Sequence, residues 1–275
     1  MGKTLKMELR RLFRDKFFYV YPGAMFLILI IGALTADPAH EVHLLEIFYS
    51  SYTPFFLAVT SAAIMVIVHC SDEDKNGYSK NLMGSIGGRQ NLTIAKLIIG
   101  AITMVIYSAI NFLGVFGEMV LESTKLVNGT YAYPESPDMM PEKYRDQWIS
   151  REQFAEEMRS LVSHEVAHYI LLTVAGIATI AFVIMLYEVL RSAVFSYVMI
   201  MLICFEILEM LIANVIALIF DGFEIGRYLL FAQFGYFGDA SNPGDPVWTF
   251  WVRNLIYVAL FSGAAIFASK KKDAV

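Results

Sequence analysis

Six long apolar runs constrain the fold of this chain more than any other feature. They cover approximately residues 17–34, 47–70, 94–117, 166–187, 193–220 and 247–268. A helix needs about 20 apolar residues to cross a hydrocarbon core, and each run reaches or approaches that length. With 57 % hydrophobic and 17 % charged residues, the chain also departs from the composition of soluble domains. The runs therefore predict an all-α integral membrane protein with six transmembrane helices.

The distribution of lysine and arginine predicts the orientation of this protein in the membrane. Six of these residues lie in the first 16 positions, three in the polar segment 71–93 and three at positions 270–272, whereas the connection 37–46 has none. Cytoplasmic segments next to membrane helices carry an excess of lysine and arginine. We therefore expect a multi-pass protein of the cell membrane, typical of a bacterial plasma membrane, with both termini and the polar segment in the cytoplasm.

The N-terminal segment 1–16 has the pattern of an amphipathic helix. Apolar residues recur at helical spacing, and four bases occupy another face: Leu5, Leu9, Leu12, Phe13 and Phe17 against Lys3, Lys6, Arg10 and Arg14. A basic helix with one apolar face typically lies in the plane of the lipid headgroups. An ordinary basic flank of the first span remains the alternative interpretation.

The connection 118–165 is the one sizeable extracytoplasmic segment in this topology. It carries ten acidic and five basic residues. Ser150 followed by Gln153 has the spacing of a capping box, in which the two side chains satisfy backbone N–H groups at a helix start. An apolar stripe then leads into the fourth run, formed by Phe154, Met158, Leu161 and Val162. We predict a small helical cap on the outer face.

The polar segment 71–93, which reads SDEDKNGYSKNLMGSIGGRQNLT, interrupts the hydrocarbon-rich sequence. Tyr78 and Leu82 are apolar residues that a solvated loop does not need. On a short cytoplasmic helix such residues suit insertion into the groove of a partner protein. Lys96 lies one turn inside the third run, and we expect its side chain to extend back to the interface.

A motif in this segment resembles the type-2 ATP-binding-cassette permeases. An acid, glycines, a Lys-Asn pair, an arginine and a later lysine occur in order at Glu73, Gly77, Lys80, Asn81, Gly87, Arg89 and Lys96. Six spans, a basic amphipathic start and cytoplasmic termini also resemble that family. The resemblance implies that 71–93 is a coupling segment seated in a cytoplasmic ATPase subunit. It also implies an N-terminal elbow helix, a permease domain over 17–275 and a second permease copy or homologue. The expected ATPase contacts are Glu73, Tyr78, Lys80, Asn81, Leu82 and Arg89.

The chain has no phosphate-binding loop of the form G-x-x-x-x-G-K-[ST]. We therefore expect no ATPase site and no bound cofactor in this chain, with ATP and magnesium held by the partner subunit. The expected partners are an ATPase dimer, a second permease and membrane lipid, with no nucleic acid. Because the outer loop is acidic and no sign of a substrate-binding partner is visible, export is favoured over import.

One motif supports a different class of function. His164-Glu165-Val166-Ala167-His168 places two imidazoles one helical turn apart with a glutamate beside them, as zinc proteases require. Asp221, at the outer end of the fifth run, is the candidate third ligand. The alternative is thus a zinc-dependent intramembrane protease. The simpler interpretation is a set of polar residues where a helix enters the membrane. A non-catalytic membrane anchor or immunity protein is a further alternative.

Charged residues inside the apolar runs indicate a possible substrate path. Glu206 and Glu209 lie at i and i+3 in the fifth run, and Arg253 lies about two turns inside the sixth. Charges within a membrane span are unfavourable and face protein or water. The acids suggest a cationic or amphipathic peptide as cargo, whereas the alternative is a buried ion pair with Arg253 or a dimer contact.

Overall fold

The fold is built from α-helices. The computed structural model describes residues 2–25, 27, 53–75, 89–127, 150–190, 192–204, 214–216, 230 and 247–273, and no strand occurs among them. The helices are α1 (Gly2–Leu12), α2 (Thr53–Lys75), α3 (Arg89–Val127), α4 (Arg151–Leu190), α5 (Ala193–Cys204) and α6 (Val247–Asp273), with a 3₁₀ helix at Lys16–Tyr19. The predicted all-α class is confirmed.

Three of the described helices are long and apolar enough to cross a membrane. The candidate spans are Gln90–Gly114 in α3, Tyr169–Leu190 in α4 and Trp248–Lys270 in α6, which correspond to the predicted third, fourth and sixth runs. A shorter apolar stretch, Leu57–Asp72 in α2, falls in the second run. These helices support a multi-pass membrane protein, and the full count of six spans stays a prediction.

Helices α3 and α4 run antiparallel and form the centre of the bundle. A Cβ atom placed on Gly176 of α4 would lie 2.7 Å from Cε of Met104 in α3. Four residues further along α3, Ser108 shares a hydrogen bond with Thr173 of α4. Helices α2 and α6 each pack against both of them, α1 packs on α3, and α5 packs on α2 and α4.

The closest approach of three helices is at Gly100 of α3. A Cβ atom there would lie 2.5 Å from Cγ2 of Ile180 in α4 and 3.5 Å from Cγ2 of Val66 in α2. Small residues allow membrane helices to approach closely, so that backbone and side chains gain van der Waals contact. Gly100 therefore sets the spacing of α2, α3 and α4.

Both central helices continue well beyond their candidate spans. Helix α3 has 39 residues, about 58 Å at 1.5 Å per residue, although its span has 25. Helix α4 has 40 residues, and its span begins only at Tyr169. The predicted capping box is confirmed, since Ser150 N donates to Gln153 Oε1 at 3.0 Å and Gln153 N donates to Ser150 Oγ at 3.2 Å. Residues 128–149 lie outside the described part, so the predicted cap stays a prediction.

Helix α1 is shorter than the predicted segment 1–16, and its most buried stripe shares only Leu12 with the predicted apolar face. Its buried residues are Thr4, Glu8 and Leu12, and the predicted apolar face is only half-buried at Leu5 and Leu9. The three buried residues are spaced four apart, so they form one stripe along the helix. The predicted leucine face therefore lies at the edge of the contact, and a carboxylate lies at its centre.

The predicted apolar face does not continue to Phe13 and Phe17, whose side chains are 45 % and 62 % exposed. The helix ends at Leu12, and Asp15 caps the 3₁₀ helix by accepting a hydrogen bond from Phe17 N at 2.9 Å. This break changes the direction of the chain, so the two phenylalanines leave the helical register on which the prediction depended. A position of α1 in the headgroup plane stays a prediction.

Candidate functional site beside the polar segment

The polar segment 71–93 joins two helices that pack against each other. Helix α2 ends at Lys75 and α3 begins at Arg89. The predicted contacts Tyr78, Lys80, Asn81 and Leu82 lie outside the described residues. The backbones of Glu73 and Arg89 are in the helix ends, but their side chains are not described. The predicted contacts therefore stay predictions, and the described geometry begins at the bases of the two helices.

A buried ion pair joins the base of α3 to the end of α4. Lys96 Nζ lies 3.4 Å from Glu188 Oε1, and their side chains are only 4 % and 3 % exposed. The same ammonium lies 5.7 Å from the centre of the Tyr187 ring, within cation–π range. The expectation that Lys96 extends out to the interface is wrong, because a carboxylate on the neighbouring helix holds the ammonium inside the bundle.

A second buried pair joins α1 to α2. His69 Nε2 lies 2.7 Å from Glu8 Oε2, and the two side chains are 4 % and 0 % exposed. The guanidinium of Arg11 also approaches α2, since its Nη2 donates to the carbonyl oxygen of His69 at 3.4 Å. The N-terminal helix is therefore fixed to the last turns of α2 by polar side-chain contacts rather than by leucine packing alone.

The Lys96–Glu188 ion pair and the Glu8–His69 contact both lie at the end of the bundle that carries the polar segment. His69 precedes the last residue of α2, Lys75, by fewer than two turns, and Lys96 lies about two turns after Arg89. Removing one partner of a buried ion pair is strongly unfavourable, so such a pair restricts how the joined helices can separate. Each helix end that flanks the polar segment is thus fixed to a neighbouring helix. This arrangement suits the transmission of force.

The predicted substrate path is described only at Arg253. Its guanidinium carbon lies 4.3 Å from the centre of the Phe250 ring, one turn away on α6. Glu206 and Glu209 lie outside the described residues. The proposed approach of Arg253 to Glu209 is therefore untested.

The HExxH motif lies on the helical backbone of α4, immediately before the span that begins at Tyr169. The side chains of His164, Glu165 and His168 are not described, and Asp221 lies outside the described residues. Among the side chains that are described, no group of three or more His, Cys, Asp or Glu could hold a metal ion. The helical backbone meets the requirement that the two histidines lie one helical turn apart. The geometry of the zinc ligands is untested.

Three residues of the ion pairs were not identified from the sequence. Glu8 was assigned to no face of the amphipathic pattern, and His69 was read as part of an apolar run. Glu188 lies just beyond the fourth predicted run, 166–187, whereas α4 continues to Leu190. The sequence did contain a signal: Glu8 is an acid within a basic helix, and His69 and Glu188 lie at the ends of apolar runs. Neither pattern indicates which side chain would be the partner.

The chain was compared with known protein families and with known proteins. The family described as ABC-2 family transporter protein matches residues 4–133, a little under half of the 275 residues. No curated protein and no solved structure matches the chain. The matched range contains most of α1, the helix ends on both sides of the polar segment and the whole of α3, and it includes the motif at 73–96 that carries the sequence resemblance. The N-terminal part of the chain is therefore similar to the ABC-2 family of transporter proteins, and the apolar helices support a multi-pass membrane protein.

Proposed function

We propose that this chain is the membrane-spanning subunit of an ATP-driven exporter and that a separate cytoplasmic ATPase drives it through the polar segment 71–93. The family match over residues 4–133 is the observation that carries this proposal. The ATPase subunit holds ATP and magnesium, and the permease works as a dimer of this chain or with a homologue. The lysine and arginine distribution supports cytoplasmic termini.

The buried ion pairs support a route for the force. Movement of the polar segment first reaches the adjoining ends of α2 and α3. The Lys96–Glu188 pair makes α4 follow α3, and the Glu8–His69 pair makes α1 follow α2. In this mechanism the chain itself carries out no chemical step. Closure of the ATPase pair pushes the segment, and the fixed helix bases convert that push into a tilt of the spans.

Co-purification of the ATPase tests this function. The tagged full-length chain is isolated from its own organism in mild detergent, and any ABC ATPase bound to it is identified by mass spectrometry. Leu82→Asp and Arg89→Glu should release the ATPase, whereas Lys270→Glu, at an exposed lysine near the end of α6, should retain it. Absence of any ATPase from the wild-type chain would leave the anchor or immunity protein as the better interpretation.

The cargo that best fits the charges is a cationic or amphipathic peptide. The acidic outer segment and the two acids of the fifth run, Glu206 and Glu209, support this class. Replacing both acids by glutamine should reduce transport of a cationic peptide such as polymyxin, measured as uptake into inverted vesicles or as efflux from cells. Unchanged export by that double variant would remove the acids from the path.

The zinc protease remains a second candidate because the backbone across His164–His168 is helical. A helix brings the imidazoles of an HExxH motif to one face. Stoichiometric zinc in the purified chain, lost in His164→Ala, would favour this candidate. A chain free of zinc that retains its ATPase partner would exclude it.

A further inference from the structure

A cluster of aromatic rings and one side-chain amide lies between the first apolar run and helices α2, α3 and α4. The rings of Tyr21 and Tyr107 stack with centroids 4.6 Å apart. The Tyr169 ring meets two further rings edge to face, Phe112 at 5.3 Å and Phe55 at 6.4 Å. Asn111 lies one turn beyond Tyr107 on α3 and directly before Phe112. The aromatic–amide cluster comprises Tyr21, Phe55, Tyr107, Asn111, Phe112 and Tyr169.

The amide of Asn111 is fully buried and unsatisfied within the described part of the chain. Its side chain is 0 % exposed, and neither its nitrogen nor its oxygen has a hydrogen-bond partner among the residues that the structure describes. The hydroxyl of Tyr21 in the same cluster is also buried without a hydrogen-bond partner in the described part of the chain. Buried polar groups without partners are rare, and in a membrane they are especially unfavourable.

Other buried polar groups of α3 show that this deficit is local. Thr103, two turns before Asn111, donates its hydroxyl to Ile99 O at 2.9 Å, and the Tyr107 hydroxyl donates to Phe18 O at 2.8 Å. Ser108 pairs with Thr173 across the helix interface. These groups bond to protein, whereas Asn111 and the Tyr21 hydroxyl retain a donor and acceptors for another molecule. An apolar residue at 111 would pack there without this penalty.

The chemistry of the cluster defines what it would recognise. A side-chain amide offers one acceptor and two donor hydrogens, which complement an amide on a ligand. The ring faces suit an aromatic or alicyclic body. None of the six residues carries a charge, so a carboxylate would be buried without a counterion and is disfavoured.

We propose that the aromatic–amide cluster is a ligand site, closed in this conformation, for an uncharged amphipathic molecule that carries an amide on an aromatic or alicyclic body. This inference rests on the proposed permease function and assigns a part of the translocation route to the interface of α3 and α4. Rearrangement of the rings would open it, while α3 and α4 stay joined by the Lys96–Glu188 pair about 22 Å away along α3. Asn111 and the Tyr21 hydroxyl then bind the amide, and the rings enclose the apolar body.

A binding experiment on the full-length chain in lipid nanodiscs tests the site without any ATPase. The probes are N-dansyl-phenylalaninamide and N-dansyl-phenylalanine methyl ester, which lacks the terminal amide donors. Dansyl fluorescence is corrected with empty nanodiscs. The wild-type chain should bind the amide about tenfold more tightly than the ester, the usual effect of one hydrogen bond. Asn111→Leu should abolish that difference, and Tyr21→Phe should reduce it.

Thermal unfolding separates a ligand site from a structural polar group. Asn111→Leu should leave the melting temperature unchanged or higher, because it removes an unsatisfied amide. The matched control Thr103→Val, on the same buried side of α3, should leave probe discrimination intact. Equal binding of amide and ester to the wild type overturns the proposal. A lower melting temperature in Asn111→Leu with unchanged probe binding also overturns it, since the amide would then be satisfied by buried water. If an ATPase still co-purifies with the chain in either case, the ligand-site proposal fails but the proposed permease function does not.

Discussion

His69 Nε2 and Glu8 Oε2 lie 2.7 Å apart and join α1 to α2 across 61 residues of sequence. Both side chains are buried, and Arg11 of α1 reaches the backbone of the same histidine. The N-terminal helix is therefore bound to the helix that leads into the polar segment. When the polar segment moves α2, α1 must move with it unless this contact breaks.

The first prediction concerns the stability that this pair provides. His69→Ala leaves Glu8 buried without its imidazole partner and should lower the free energy of unfolding by about 1–3 kcal/mol. The double variant Glu8→Leu with His69→Leu removes both polar groups and should recover most of that loss. Thermal unfolding in nanodiscs measures both. Lys6→Ala, an exposed position of α1, is the control and should change little. Equal losses in the single and double variants would show that the contact adds no stability.

The second prediction separates coupling from stability at Lys96 and Glu188. Lys96→Met should destabilise the chain by about 3–5 kcal/mol, because Glu188 stays buried. The double variant Lys96→Met with Glu188→Leu should restore folding but not function, since α3 and α4 lose their charged link. The measurement is ATPase activity of the chain reconstituted with the proposed ATPase partner, alongside the proposed export. Hydrolysis should continue while export falls at least tenfold.

The matched control for that experiment is Lys270→Met, which removes an exposed lysine near the end of α6. It should preserve both hydrolysis and export. Full export by the Lys96–Glu188 double variant would mean that apolar packing alone carries the force between α3 and α4.

The third prediction concerns the junction between the first apolar run and α3. Tyr107→Phe keeps the ring stacked on Tyr21 but removes the hydrogen bond to Phe18 O. The loss should be about 1–3 kcal/mol, because a buried carbonyl oxygen is left unpaired. Tyr19→Phe serves as the control, since its hydroxyl donates to Phe13 O at an exposed position and its removal should cost less than about 1 kcal/mol. Similar losses in both variants would contradict a special role for the buried bond.

The sequence predicts the class of this fold well because membrane helices follow directly from apolar length. The spans in α3, α4 and α6 and the start of α4 at Ser150–Gln153 all depend on local sequence. The ion pairs depend instead on which helices meet. Burial of Glu8 is set by a histidine 61 residues away, and the inward position of Lys96 is set by a carboxylate 92 residues away. Periodicity contains no information on either distance.

Helix spacing is a second feature that composition does not reveal. A glycine in an apolar run can lie at a close helix contact or have no role in packing. Which of the two applies depends on whether another helix packs against it. Gly100 faces Ile180 and Val66, whereas a Cβ atom at Gly263 of α6 would meet nothing within 4 Å among the residues that the structure describes. The two residues have the same apolar surroundings in the sequence and different roles in the structure.

This difference gives the final prediction, an order of stabilities for three glycine-to-alanine variants. Gly100→Ala places a methyl group 2.5 Å from the branched side chain of Ile180, which cannot move without shifting α4, and should destabilise the protein by about 1–3 kcal/mol. Gly176→Ala meets the flexible Met104 side chain and should be milder. Gly263→Ala should be neutral or stabilising by up to about 1 kcal/mol, because alanine favours a helix over glycine. Thermal unfolding gives the order, and Ile180→Ala added to Gly100→Ala should relieve part of its clash. If Gly263→Ala proved as harmful as Gly100→Ala, the open face of α6 would be covered by another part of the chain or by a second subunit.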